Sequence, residues 1–356
     1  MKYYYQFPAV KGIQANREYY ISMVPLKLLD KLFPVEYDVV LPEFRAQRRV
    51  NEMRIPEIRN YILENRKSYV FSALSASIDG DFLFEPMGDD KDVGILKVDM
   101  EAILLINDGQ HRKAAISEAL IEDPTLGNET ISIVFFRDEG LAHSQQMFTD
   151  LNKHAVKTSN SLSTLYDSRD SVAVATKEII EANTFLNMYT DKERDNLGKN
   201  SSKLFTLTSI YKANLKILHT HECLKEDKDF LKEFWRLITE NITEWNELMN
   251  KEITKKDLRE NYVVTLSITI MSFGKLGRYF YDNRNIDMES HLVKLKNIDW
   301  LRSNVSNWLG RTIKSNGKVI NNETASSLAC SKIKMLIGIK LSKEEKAKEK
   351  QLKGEK

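Results

Sequence analysis

The chain has 356 residues, 42% hydrophobic and 29% charged, with 53 lysines and arginines against 51 aspartates and glutamates. This is the composition of a soluble protein with a large core: the length predicts two domains, and no run approaches the roughly 18 apolar residues of a membrane span, so no membrane partner is expected. Two cysteines, Cys223 and Cys330, cannot build a cysteine-based zinc site or iron–sulfur cluster, and with no apolar leader after Met1 a reducing, cytoplasmic location is expected.

In chain order, residues 1 to about 40 carry short apolar segments punctuated by Pro8, Gly12, Pro25 and Pro34, which predicts edge strands and loops with a short helix at 26–33. Ile55, Ile58, Tyr61 and Ile62 follow helical spacing with Pro56 in the first turn, predicting an amphipathic helix over 54–65. Apolar stretches at 69–74 and 80–84 flank an Ile78-Asp79-Gly80 turn, and residues 94–98 lead into a strand at Leu104. A helix from Arg112, turning Ala114, Ala115, Ile116, Ala119 and Leu120 inward, precedes the clearest strand, 131–136. Beyond Ser144 the pattern is helical: 145–151, 162–166, 171–182, 205–219, 230–249, 262–281, 300–309 and 324–336. The expected fold class is α+β, with a mixed α/β domain over 1–158, a mainly α-helical domain over 159–341 and a charged flexible tail over 342–356.

The densest signal is Leu104-Leu105-Ile106-Asn107-Asp108-Gly109-Gln110-His111-Arg112-Lys113. It reads as a strand, a tight turn and a helix start. Free amides at such a start, a glycine at the turn and nearby cations make a receptive place for a phosphate or another anion. Cations there oppose the helix dipole, so Arg112 and Lys113 point either to an outside anion or to simple solvation. Arg112 has the planar donors suited to bidentate phosphate recognition, and Asp108 is expected to orient the turn.

Charge is unevenly spread: residues 301–356 hold 13 cations and 5 anions, leaving the rest of the chain acidic. A basic end permits an anionic polymer as partner. Two segments are candidates for DNA contact. One is the helix over 324–336 with Lys332 and Lys334, bracketed by Arg311, Lys314, Lys318 and Lys340; the other is 192–216, including Lys203. Neither carries a helix-turn-helix signature. The run His219-Thr220-His221-Glu222-Cys223 lies at a helix end, where its spacing does not favour a metal, so no metal site is predicted.

Arg45-Ala46-Gln47-Arg48-Arg49, Arg54-Ile55-Pro56-Glu57-Ile58, Asp108-Gly109-Gln110-His111-Arg112 and Phe148-Thr149-Asp150-Leu151-Asn152-Lys153-His154-Ala155 occur in that order. Together they resemble the DGQHR-domain family, most closely its DNA sulfur modification (DndB) members from bacterial phosphorothioation systems. That resemblance implies a DNA-binding transcriptional regulator, a repressor of the modification genes, with duplex DNA and the modification enzymes as partners and a homo-oligomer allowed. More distantly, the arrangement looks like the nucleotide-binding domain of ParB and sulfiredoxin proteins. By that resemblance Gly109, His111 and Arg112 would face the phosphates of a nucleoside triphosphate held with Mg2+, alongside Asp108 and Gln110. Gln47 and Arg48 would align with an arginine box, and Asn152 would sit near the metal or phosphate. No cofactor is required. Gln110 stands where sulfiredoxins carry their cysteine, and Leu151 where ParB proteins carry a carboxylate, so binding is expected ahead of hydrolysis. The alternatives are a nucleoside triphosphatase using Asp150 and a docking subunit of the modification machinery.

Overall fold

Side-chain burial alternates along the first strands of the chain, as the two-residue period of a strand requires. The computed structural model describes residues 2–34, 52–153, 158–198 and 201–353, and the chain divides into two compact units, 1–156 and 157–356. In the first, β1 (Tyr4–Gln14) and β2 (Arg17–Pro25) form a long hairpin whose two turn residues, Ala15 and Asn16, both take positive φ. That geometry matches the twist of a two-residue hairpin. Phe7, Ala9, Tyr20 and Val24 are buried on one face, while Val10, Ile21 and Met23 are exposed on the other.

The remaining elements of this unit are α1 (Leu29–Leu32), α2 (Ile55–Glu64), β3 (Leu74–Asp79), β4 (Phe82–Pro86), β5 (Val93–Asp99), β6 (Ile103–Asp108), α3 (Gln110–Glu122), β7 (Thr130–Arg137) and α4 (Leu141–Lys153). The seven strands form one sheet in the order β4-β5-β1-β2-β7-β3-β6, antiparallel except for β3 against β7. The edge-strand expectation for residues 1–40 is therefore corrected, since β1 and β2 are central. A ladder of this length holds its place despite the donor missing at Pro8. The strand expected at 69–74 begins only at Leu74, because Tyr69 and Phe71 are used in an aromatic cluster with Tyr61 of α2. Its neighbour β4 pairs with β5 and not with β3. Leu29, Leu32, Ile62, Ile116 and Ala119 from the helices close the core against Leu74, Ile78, Leu104, Ile106, Ile133 and Phe135.

The second unit contains α5 (Asn160–Tyr166), α6 (Ser171–Ala182), α7 (Thr184–Tyr189), short parallel strands β8 (Thr190–Asp191) and β9 (Phe205–Thr206), α8 (Leu207–Leu218), α9 (Lys225–Asn241), α10 (Thr243–Met249), α11 (Lys255–Asn261), α12 (Ser267–Asp282), α13 (Met288–Leu292), α14 (Val305–Trp308), α15 (Glu323–Leu336) and α16 (Lys343–Lys353). Close approach of α12 to α8 requires Gly274, where a Cβ would lie 2.8 Å from the Ala213 carbonyl oxygen. The fully buried Asn214 amide donates to Thr176 Oγ1 and accepts from Trp235 Nε1, both at 2.8 Å, joining α6, α8 and α9. The segment expected to be a flexible tail forms α16 through Lys353. Its Glu349 carboxylate meets the Arg311 guanidinium in a pair with both side chains buried, and Glu345 takes Lys334 at 2.6 Å.

Removing one member of a buried pair strands the other charge in a poorly solvating interior. Glu349→Ala should lower unfolding stability by about 3–5 kcal/mol. The double change Arg311→Met with Glu349→Leu should recover most of that loss in denaturant titrations. A second prediction concerns Glu244 on α10, one of whose carboxylate oxygens is buried without a hydrogen-bond partner among the described residues. Burial first, then the charges of Glu247 and Asp299, push its pKa from 4.5 up to about 7. The folded chain therefore holds this proton where the unfolded chain has released it. Its contribution to stability is full below pH 4.5 and is lost as pH rises through 7. Glu244→Gln should flatten that decline in midpoints measured from pH 5 to pH 8.

Candidate functional site

The turn between β6 and α3 is built by a glycine. Gly109 takes φ 103° and ψ 14°, and a Cβ there would lie 2.3 Å from Leu74 Cδ2. An L side chain would meet both a strained backbone and a filled space. The helix follows at once, beginning before Arg112, and the Lys113 amide bonds the Gly109 carbonyl at 2.9 Å. No side chain caps α3 and its first turn carries no acidic residue. In contrast, Ser159, Asp170 and Thr206 cap α5, α6 and α8. The start of α3 thus lacks the side-chain N-cap that these helices have.

The cations around the turn are largely committed. Arg112 Nη2 donates to Asp108 Oδ2 at 2.6 Å, one helical turn back, and Nη1 donates to the Ser72 carbonyl at 2.9 Å and to the Ser72 hydroxyl. Its side chain is 15% exposed. Asp108 orients the turn through this arginine. Lys113 points away from the turn into α1, with Nζ 2.8 Å from Asp30 Oδ1 and its side chain buried. Burial alone would raise the Asp30 carboxyl, but hydrogen bonds from Lys113 and Ser117, with the Lys113 charge, hold it below its ordinary value. Both cations that suggested an outside anion therefore have inside partners.

Gln110 folds back so that Nε2 donates to the Ile106 carbonyl at 3.1 Å. His111 is half-buried on the first turn of α3. The neighbouring Asn107 is fully buried: its amide nitrogen donates to Ser77 Oγ at 2.7 Å and lies 3.1 Å from Met147 Sδ of α4, while Oδ1 has no partner among the described residues. Asn107 and Ser72 carry no signal of their own in the sequence, although the Asp108–Arg112 separation of four residues is a visible sign of their pairing. Arg48 and Gln47 lie outside the described residues. Asn152 lies on α4, and Asp150 on the same helix is exposed and accepts from Gln146 at 2.7 Å.

The basic residues of the helical unit divide into two groups. Arg311 and Lys334 are buried in the ion pairs with α16, and Lys334 also lies 4.4 Å from the centre of the Tyr279 ring. Lys203 donates to the Met188 carbonyl at 2.7 Å, and Lys332 is half-buried on α15. Lys314 and Lys318, in contrast, are exposed and enter no ion pair among the described residues. They flank Ser315-Asn316-Gly317 at the tip of a tight turn in which the Lys314 amide bonds the Lys318 carbonyl at 2.8 Å.

Both cysteines lie in surroundings that disfavour the thiolate. Burial pushes the Cys223 thiol up to about 11 and the Cys330 thiol up to about 12, so neither is a thiolate near neutrality. His221 Nδ1 lies 2.7 Å from Asp170 Oδ2, and no group of three potential metal ligands occurs among the described residues. The turn itself yields a prediction: Gly109→Ala should destabilise the first unit by about 1–3 kcal/mol, the cost of a disfavoured backbone conformation. Thermal or denaturant unfolding would read this directly, and an unchanged midpoint would contradict the tight-turn account.

No helix of the described residues is long and apolar enough to cross a membrane. No curated protein and no solved structure matches the chain. A family model for DndB, described as DNA-sulfur modification-associated, matches residues 7–340. With nearly the whole length matched, and with the Asp108–Arg112 turn inside that span, the chain belongs to the DndB family of DNA-sulfur modification-associated proteins.

Proposed function

We propose that the protein is a DNA-binding transcriptional repressor of a DNA sulfur modification gene cluster, with a nucleotide or similar anion received at the Asp108–Arg112 turn. The observation that carries the DNA reading is the exposed Lys314–Lys318 turn tip in the part of the chain that holds the positive surplus. Exposed lysines on a tight turn can neutralise phosphates without a rearrangement of the core. Membership of the DndB family ties that DNA to the modification system.

The uncapped start of α3 favours the anion reading, with Gly109 allowing close approach of a phosphate to the backbone. The resemblance to ParB-type domains points the same way and suggests a triphosphate with Mg2+. An arriving anion would meet the Asp108 carboxylate, so binding would favour release of Asp108 or a shift of the Arg112 guanidinium toward the ligand. A nucleoside triphosphatase is the lesser reading: Asp150 is exposed and bonded to Gln146, without the enclosed setting in which a carboxylate serves as general base.

The test is duplex DNA from upstream of the modification genes, titrated with salt against a scrambled duplex, with and without nucleoside triphosphate. Selective binding is expected, and Lys314→Gln with Lys318→Gln should reduce the slope of log affinity against log salt by about 1.8, or about 0.9 per lost phosphate contact. Equal affinity for both duplexes would overturn the repressor reading. A nucleotide-induced shift that disappears in Arg112→Ala would support the sensor role of the turn, and triphosphate hydrolysis lost in the same variant would favour the enzyme instead.

A further inference from the structure

The charges of α16 are sorted by direction. Glu345 and Glu349 face the body of the helical unit, where they meet Lys334 and Arg311, and Leu352 packs against Gly310 on the same side. At about 100° per residue, Lys343, Lys346 and Lys350 fall within a sector of about 60° centred about 120° round the helix from that inward face, and no glutamate among the described residues of the helix shares it. All three lysines are exposed. The remaining pair, Lys348 with Glu344 at 2.6 Å, lies on the flank. Such a separation suits a helix that neutralises buried cations along one stripe and presents cations to an anion along another.

We infer that α16 is a second phosphate-binding surface, whose Lys343, Lys346 and Lys350 contact the backbone of duplex DNA. The proposal rests on the DNA-binding reading and deepens it. From Lys343 to Lys350 the helix rises about 10 Å, comparable to the axial span of four successive phosphates on one strand of duplex DNA, three steps of about 3.4 Å. The contacts would be to phosphates and so independent of base sequence, adding affinity and salt dependence but no selectivity. The helix lies beyond residue 340, where the family match ends. The glutamates of the inner face satisfy Arg311 and Lys334, which would otherwise be unpaired cations in the interior.

The experiment compares the full chain with Lys343→Gln/Lys346→Gln/Lys350→Gln and with a control, Lys225→Gln/Lys232→Gln/Lys256→Gln, which removes the same charge from exposed positions on α9 and α11. Binding to the upstream duplex and to its scrambled version is measured across a salt series, with circular dichroism and thermal midpoints to verify folding. The α16 variant should weaken both duplexes by the same factor, about tenfold or more near physiological salt, and lower the salt slope by about 2–3, while the control leaves the slope unchanged. Selective wild-type binding with an unaltered slope in the α16 variant would overturn this surface and leave the repressor reading standing. An equal loss in the control would reduce the effect to net charge and also overturn it. Absence of DNA binding by the wild type at low salt would remove both readings together.

Discussion

A cation withdrawn from water must take a negative partner with it, and that constraint decides which basic residues of this chain remain to meet anything outside. Lys113 enters the first unit with Asp30, Arg112 is braced by Asp108, and Arg311 and Lys334 enter the second with Glu349 and Glu345. Each of these cations would be assigned to a ligand by counting charges near a motif. Once the pairs are made, the positive surplus of residues 301–356 is carried at the surface by a few lysines on a turn tip and along one face of a helix.

The same constraint shapes the glycine turn. Gly109 fixes the path of the backbone, and Arg112 ties the helix start to Asp108 on one side and to Ser72 ahead of β3 on the other. The arginine is therefore part of the frame of the site before it is part of any recognition. No side chain caps the helix start, so the turn is held by its glycine and by the Asp108–Arg112 pair. Both thiols lie far from this turn in sequence, and burial pushes each of them above its ordinary range.

Much of the architecture was legible in the sequence because hydrophobic period reports burial. The change from alternation to helical spacing near Ser144 marks where strands give way to helices, and the Asp108-Gly109 pair announces the turn. Pairing was harder to read: the Asp79-Gly80 turn suggests a local hairpin, but β4 takes β5 as partner and β3 lies parallel to β7, contacts set by the whole sheet. The directions of charged side chains were the least legible. Nothing local distinguishes Lys113, which is buried, from the lysines of α16, and a lysine-rich segment reads as a solvated tail unless its glutamates are known to have buried partners across α15 and the 309–320 turn.

The docking of α16 differs from that of the other helices because so little apolar surface is involved. Leu352 packs on Gly310, but the remaining inward positions described are glutamates. Buried ion pairs contribute modestly to net stability, since desolvation offsets much of their attraction, yet they fix orientation because each charge has one acceptable position. They are also weakly screened. The exposed lysines of the same helix act through water, where a Debye length of about 10 Å at 0.1 M salt limits their reach. Salt therefore separates the two sets of charges on one helix, screening the exposed lysines while leaving its attachment to Arg311 and Lys334 in place.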